Sequence, residues 1–201
     1  MHLPSHALVN LTALEQWAEP HHRSMVVLGS VLPDLPVLGF YFVCRFVFGM
    51  SDETIWQDVY YRDRWFNVFA AFHSIPATGA LCVAGYAAGV HWVAFLGASM
   101  LLHNIADLPL HADDAHRHFY PLSNYRFKSP ISYWNPRYWG RIVAAFEILL
   151  LVACSVYMYP RFVTWWAKAS VVTVNVVYVG CYAAFYLGPY GEKLFQSMAP
   201  D

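Results

Sequence analysis

Charge is scarce in this chain. Only 12% of its 201 residues are Asp, Glu, Lys or Arg, against 58% apolar, a composition too apolar for an ordinary water-soluble domain of this size. The formal net charge of −1 leaves no surplus of either sign, and no basic stripe or recognition module appears, so no nucleic-acid partner is expected. Gly-rich phosphate loops and a nucleophile elbow are absent. Cysteine is sparse too: Cys44, Cys82, Cys154 and Cys181 lie far apart in apolar stretches with no CxxC or Cys/His spacing. They read as small core residues, not as disulfides or thiolate metal sites. No linker, low-complexity tract or repeat divides the chain, so residues 1–201 are expected to form a single domain. The opening MHLPSHALVN lacks the basic region and cleavage site of a secretory signal, so insertion is expected to rely on the spans themselves.

Apolar sequence is what the chain has in abundance. Four segments, 66–88, 91–108, 142–159 and 162–187, approach the roughly 20 apolar residues that cross a hydrocarbon core. The gaps AGVH and YPR between the members of each pair are short enough to force antiparallel helical hairpins. A fifth run, 24–50, is interrupted by LPDLP, where Pro33 and Pro36 flank Asp34 and break the backbone ladder. It either crosses as a broken helix or re-enters as a pair of short helices around a buried turn. Ahead of it, Leu8, Leu11, Leu14 and Trp17 recur at helical spacing, which predicts an amphipathic helix lying against the bundle or the membrane interface. The expected fold is all-α, an integral membrane bundle of four or five spans, with four spans plus a re-entrant pair preferred.

Sidedness follows from the basic residues. Loops 45–65 and 109–141 with the C-terminal tail hold nine Lys and Arg, whereas Arg23, Arg161 and Lys168 mark the opposite side if the fifth run crosses; re-entry would make the split ten against two. The positive-inside rule then turns the 109–141 loop to the cytoplasm, and an inner (cytoplasmic) membrane of bacterial type is the expected location.

Ionisable groups in apolar spans are costly, about 2.5 to 3.5 kcal/mol each on insertion scales, so their positions are informative. His73, Glu147, and the pair His103 and Asp107 stand on three different segments at similar depth below the basic surface, where they could converge in one cavity. Asp34 fits that depth only if its segment re-enters. His103 and Asp107 are four apart and share one helix face, the spacing at which a helix offers two ligands to one cation. Beyond Pro109 come His111, Asp113, Asp114, His116 and His118. Imidazole mixed with carboxylate suits zinc, manganese or non-haem iron.

At PSHALVN, GSVLPDLP, AAFHSIP and HNIADLPLH the chain resembles the predicted membrane-bound metal-dependent hydrolases, a group similar to the zinc-dependent phospholipase C and single-strand nuclease superfamily. The resemblance covers about residues 1–147. It implies a helical bundle holding divalent metal, zinc above all, through His6, Asp34, His73, His103, Asp107 and His111, with His116 or His118 and Glu147 as a late pair. Trp139, Gly140 and Val143 stand where a His partner of Glu147 is looked for. The implied chemistry is metal-assisted hydrolysis of a phosphoester, with Asp34 or Asp114 taking the proton and Arg117, Arg126 and Lys128 holding the phosphate. Depth favours a membrane-lipid substrate. The competing expectation is a non-catalytic subunit of a larger membrane complex, docked through SPISYWNPRYWGR.

Overall fold

Prolines punctuate the chain where its helices start. Pro4, Pro36 and Pro76 each lie in a first helical turn, where the missing N–H has no intrahelical partner to lose. The computed structural model describes residues 1–188, which are helical with no strand. In chain order the helices are α1 (Leu3–Leu14), α2 (Arg23–Val31), α3 (Leu35–Phe42), α4 (Asp52–Gln57), α5 (Asp63–Phe72), α6 (Ile75–Ala87), α7 (His91–Asp107), α8 (Gly140–Met158) and α9 (Trp165–Tyr182). Three helical stretches are long and apolar enough to cross a membrane: His91–Leu110, Gly140–Arg161 and Trp165–Leu187. Two bent pairs, α2 with α3 and α5 with α6, raise the number to five if each counts as one span.

Both bends differ from the simplest sequence expectation. The run 66–88 is not one rod but breaks at His73 and Ser74 with a bend of 42°. Ser74 caps α6 by accepting from Ala77 N at 3.1 Å, and Asn104 of α7 donates to Phe72 O at 3.4 Å, so the freed backbone groups at the break are satisfied inside the protein. The LPDLP break turns the axis by 54°. A returning segment would have to reverse direction, whereas this bend keeps α3 travelling onward, which favours a broken crossing over re-entry. Arg23 accordingly lies on the far side, its Nη1 3.2 Å from Arg161 O and its Nη2 3.5 Å from Glu15 Oε1. The basic residues of the described chain therefore divide with Arg23, Arg161 and Lys168 together; Lys193 of the tail lies outside the described residues.

α1 runs through the middle of the bundle and not along its surface. Leu8 and Leu11 join a core with Val26, Leu151 and Met158. Its polar face is buried as well: Ser5, His6 and Asn10 have no exposed surface. Asn10 Nδ2 donates to Ser99 O at 2.8 Å, and Ser99 Oγ donates to Val26 O at 2.6 Å, tying α1, α7 and α2 together in the interior. Trp17 falls beyond the helix and is 64% exposed.

Small residues let the helices approach. A Cβ on Gly29 would stand 2.5 Å from Leu96 O, and one on Gly97 would stand 2.5 Å from Cys82 N. α2 and α6 thus lie against opposite parts of α7 at near backbone contact. The outward faces are apolar, with Phe146, Leu149 and Val156 of α8 and Val172 and Val176 of α9 among the exposed large side chains. Such a surface is expected of helices facing hydrocarbon. The cysteines are all free; Cys44 and Cys154 are buried, while Cys181, expected in the core, is exposed on α9.

Candidate metal centre

Each break in the fold delivers a ligand-type side chain to the same place. Asp34 stands at the α2–α3 bend, His73 at the α5–α6 bend, and His103 and Asp107 on the last turns of α7. Their ligand atoms all lie within 4.8 Å of one another. Two ligands about 2.1 Å from one zinc are at most about 4.2 Å apart, so small side-chain movements suffice to bring this quartet onto one cation. Asp34 reaches the group from the α2–α3 bend.

Hydrogen bonding fixes the tautomers. His73 Nδ1 is 3.0 Å from Phe69 O, and His103 Nδ1 is 2.8 Å from Ser30 O. A carbonyl oxygen only accepts, so each ring carries a proton on Nδ1 and, when neutral, presents Nε2 as a bare lone pair. Those lone pairs face carboxylates. His73 Nε2 is 3.2 Å from Asp34 Oδ1; His103 Nε2 is 3.2 Å from Asp107 Oδ2 and 3.7 Å from Asp34 Oδ1, yet satisfies no hydrogen bond with either. Each such pair is favourable in a buried site when a positive charge joins it, either a proton on Nε2 that the carboxylate accepts or a cation held by both.

Asp107 is the centre of the arrangement. Its Oδ1 lies 2.6 Å from the Met1 amino nitrogen and 3.0 Å from His6 Nε2. Its Oδ2 lies 3.4 Å from His111 Nε2 as well as next to His103. The His6 ring stacks on His103 with centroids 3.7 Å apart. Burial pulls His6 down to about 4 despite Asp107, so its ring is neutral at pH 7 and able to ligate. Burial also works to lower His111, but the carboxylates of Asp107 and Asp114 on its two sides outweigh it and push the ring up to about 9. A cation taking His111 Nε2 must displace that proton. Zinc titrations at pH 7.5 in buffers of different ionisation enthalpy are therefore expected to report release of at least one proton; equal heats in all buffers would show that His111 keeps its proton and is no ligand.

Asp114 acts on His111 more than on a substrate. Its Oδ2 is 3.1 Å from His111 Nδ1 and accepts from Trp134 Nε1 at 3.0 Å. Burial raises a carboxyl, but these two partners hold Asp114 below its ordinary value. A carboxylate beside the far nitrogen of an imidazole would orient the ring if its Nε2 took a cation, and Asp114 stands at that position on His111.

The remaining expected ligands are close by but outside the quartet. His116 stacks face to face on His73 at 3.8 Å, and burial holds it well below the usual imidazole value. His118 is stitched to the α5–α6 break: its Nδ1 is 3.1 Å from His73 O, and its carbonyl accepts from Ile75 N at 2.8 Å. Burial takes His118 to about 4, and its Nε2 has no hydrogen-bond partner. Glu147 does have a histidine partner, but from the other end of the sequence: its Oε1 accepts from His2 N at 2.9 Å and lies 3.1 Å from His2 Nδ1. The sequence around α8 carries no sign of His2 or the Met1 amine, since only the packing of α1, parallel to α8 and antiparallel to α7, brings them there.

A cavity of about 410 Å³ opens over the group, with Asp34, His111, Asp114 and His116 at its base and Trp56, Tyr60, Tyr133 and Trp134 among its walls. The expected phosphate-binding cations are not in that lining. Arg117 is buried, with Nη1 donating to Asn124 Oδ1 at 3.0 Å and its guanidinium 4.2 Å over the Phe66 ring. Arg126 donates to Ala115 O at 2.7 Å and Asp113 O at 3.0 Å. Both brace the 111–126 loop from behind, and Lys128 is exposed outside the cavity. Likewise Ser132 and Asn135 of SPISYWNPRYWGR are buried and Tyr133 and Trp134 line the cavity; Trp139 is the large apolar side chain of that stretch left exposed. No protein-family model, curated protein or solved structure matches the chain.

Proposed function

We propose that this chain is an integral membrane metal-dependent hydrolase acting on a phosphoester of a membrane amphiphile, and that it belongs with the predicted membrane-bound hydrolases it resembles. Five apolar crossings, two of them bent, would set it in an inner membrane of bacterial type with the 109–141 loop on the cytoplasmic side, where the basic residues gather. The observation that carries the reading is the convergence of Asp34, His73, His103 and Asp107, whose ligand atoms lie within 4.8 Å of one another, with both rings turned by backbone carbonyls so that each aims Nε2 at a carboxylate. Zinc fits this donor set best, with manganese and iron next.

A divalent cation there would supply Lewis acidity to a phosphoryl oxygen and a readier proton to a water, which also replaces the missing arginine or lysine. Asp34 lines the cavity and is the carboxylate placed to take a proton; Asp114 orients His111. The aromatic walls exclude water and hold the head of the substrate. The rival reading, a non-catalytic subunit of a larger membrane complex, is weaker because the segment that would meet a partner, 129–141, is mostly folded inward around the cavity.

Elemental analysis of the detergent-purified protein tests the proposal. Stoichiometric zinc, manganese or iron is expected, falling at least about tenfold in His103→Ala, as loss of one ligand usually does. Phosphodiester turnover in vesicles should follow the metal. A preparation that holds no metal and takes none up would end the reading.

A further inference from the structure

A second cavity, of about 420 Å³, lies between α8 and α9 at the end of the bundle that holds the metal centre. Ala144 and Ile148 line it from α8, Val177, Tyr178 and Cys181 from α9, and Trp134 from the preceding loop. Trp134 also lines the cavity over Asp34, so the two spaces adjoin at one indole. The outer mouth is on the apolar face, since Val177 is 53% exposed and Cys181 is exposed. Packing here is light: along α9 the one buried residue is Val171. Inside, the Tyr178 hydroxyl is buried without a hydrogen-bond partner, its ring edge-on to His2 at 5.0 Å.

We infer that this cavity holds one acyl chain of the amphiphile whose head lies over Asp34, with the Tyr178 hydroxyl donating to the chain's ester carbonyl. The identity of the head rests on the proposed function; occupancy by a chain does not. A mouth between two membrane-spanning helices meets hydrocarbon, so the ligand that can enter is a lipid tail, and the volume is that of an ordinary small-ligand site, about 300–1,000 Å³. Moving a tail from bilayer to cavity gains nothing from the hydrophobic effect, since lipid is as apolar as the walls. Selection comes instead from filling a void whose lining lacks contacts and from satisfying a donor in low dielectric.

The test uses the full chain in nanodiscs of phosphatidylethanolamine and phosphatidylglycerol doped with a phospholipid bearing a diazirine on its ester-linked chain. After irradiation, labelling at 144–148 and 177–181 is expected to exceed that at Val176, which is 66% exposed, by about tenfold, the factor one good hydrogen bond can supply. Val177→Trp, which fills the mouth from its exposed side, should bring labelling to the level of Val176. Tyr178→Phe should erase the preference for ester-linked over ether-linked chains. Labelling no higher than at Val176, labelling indifferent to Val177→Trp, or cross-linking of Cys181 between two copies would each overturn the inference. Metal content is measured on the same samples: labelling that persists in chelator-stripped protein supports the chain site even if the hydrolase reading fails.

Discussion

Asp107→Asn should strip the protein of its metal and of a large part of its stability. The carboxylate stands within 3.4 Å of the nitrogens of His6, His103, His111 and the Met1 amine, and it is essentially without exposed surface. An amide of the same shape preserves packing but neither neutralises a cation nor balances the buried amine. Removing one partner from a buried charged group costs about 3–5 kcal/mol, because the remaining charge is left without compensation. Metal adds a separable effect: at about 1,000 times its dissociation constant a ligand stabilises the folded state by about 4 kcal/mol. Thermal unfolding with zinc and with chelator distinguishes the two. Wild type should show a large zinc-dependent rise in Tm, Asp107→Asn a lower Tm and almost no rise. A variant that keeps the full zinc shift would show that Asp107 is a structural ion-pair residue and that the cation, if bound, is held elsewhere.

The parts of this site that could be read from sequence are the local ones. His103 and Asp107 are one helical turn apart, so their shared face follows from periodicity alone. Long apolar runs likewise foretold α7, α8 and α9 to within a few residues. The break at His73 is masked by the apolar residues on either side of His73 and Ser74, although Ser74 before Ile75 and Pro76 is a helix-start signal that outranks hydropathy. α1 departs from its expected place for a different reason. Periodic leucines identify an apolar face, but they do not say whether the opposite face meets water; here Ser5, His6 and Asn10 are buried against α7. The arrival of Asp34 at the group depends on how the α2–α3 bend packs against α7, a tertiary property with no local signature. His2 opposite Glu147, 145 residues away, is the extreme case. What co-locates ligands in this protein is helix packing, and packing is decided by contacts among small residues as much as by the ligands.

Gly97→Ala is the sharpest probe of that dependence and should destabilise the protein out of proportion to its size. The added Cβ would lie 2.5 Å from Cys82 N and 2.8 Å from Cys82 Cα. Those are backbone atoms of α6, so no side-chain rotation relieves the clash and the helices must separate. Overpacking of this kind costs about 1–3 kcal/mol. Separation of α6 from α7 also moves His73, at the head of α6, away from His103 and Asp107, so zinc affinity should fall about tenfold or more, as for other losses of ligand support. Gly29→Ala is expected to behave alike, since its Cβ would meet Leu96 O at 2.5 Å and displace α2, which carries Asp34 beyond its end. Gly79→Ala supplies the control: it is also within α6, but nothing lies within 4 Å of the added carbon. There the change removes backbone freedom from a helix interior and should leave metal binding intact while raising stability by up to about 1 kcal/mol. Tm and zinc content of the three variants, measured side by side, decide the matter. If Gly97→Ala proves as benign as Gly79→Ala, the close approach of α6 and α7 is not what holds His73 in place.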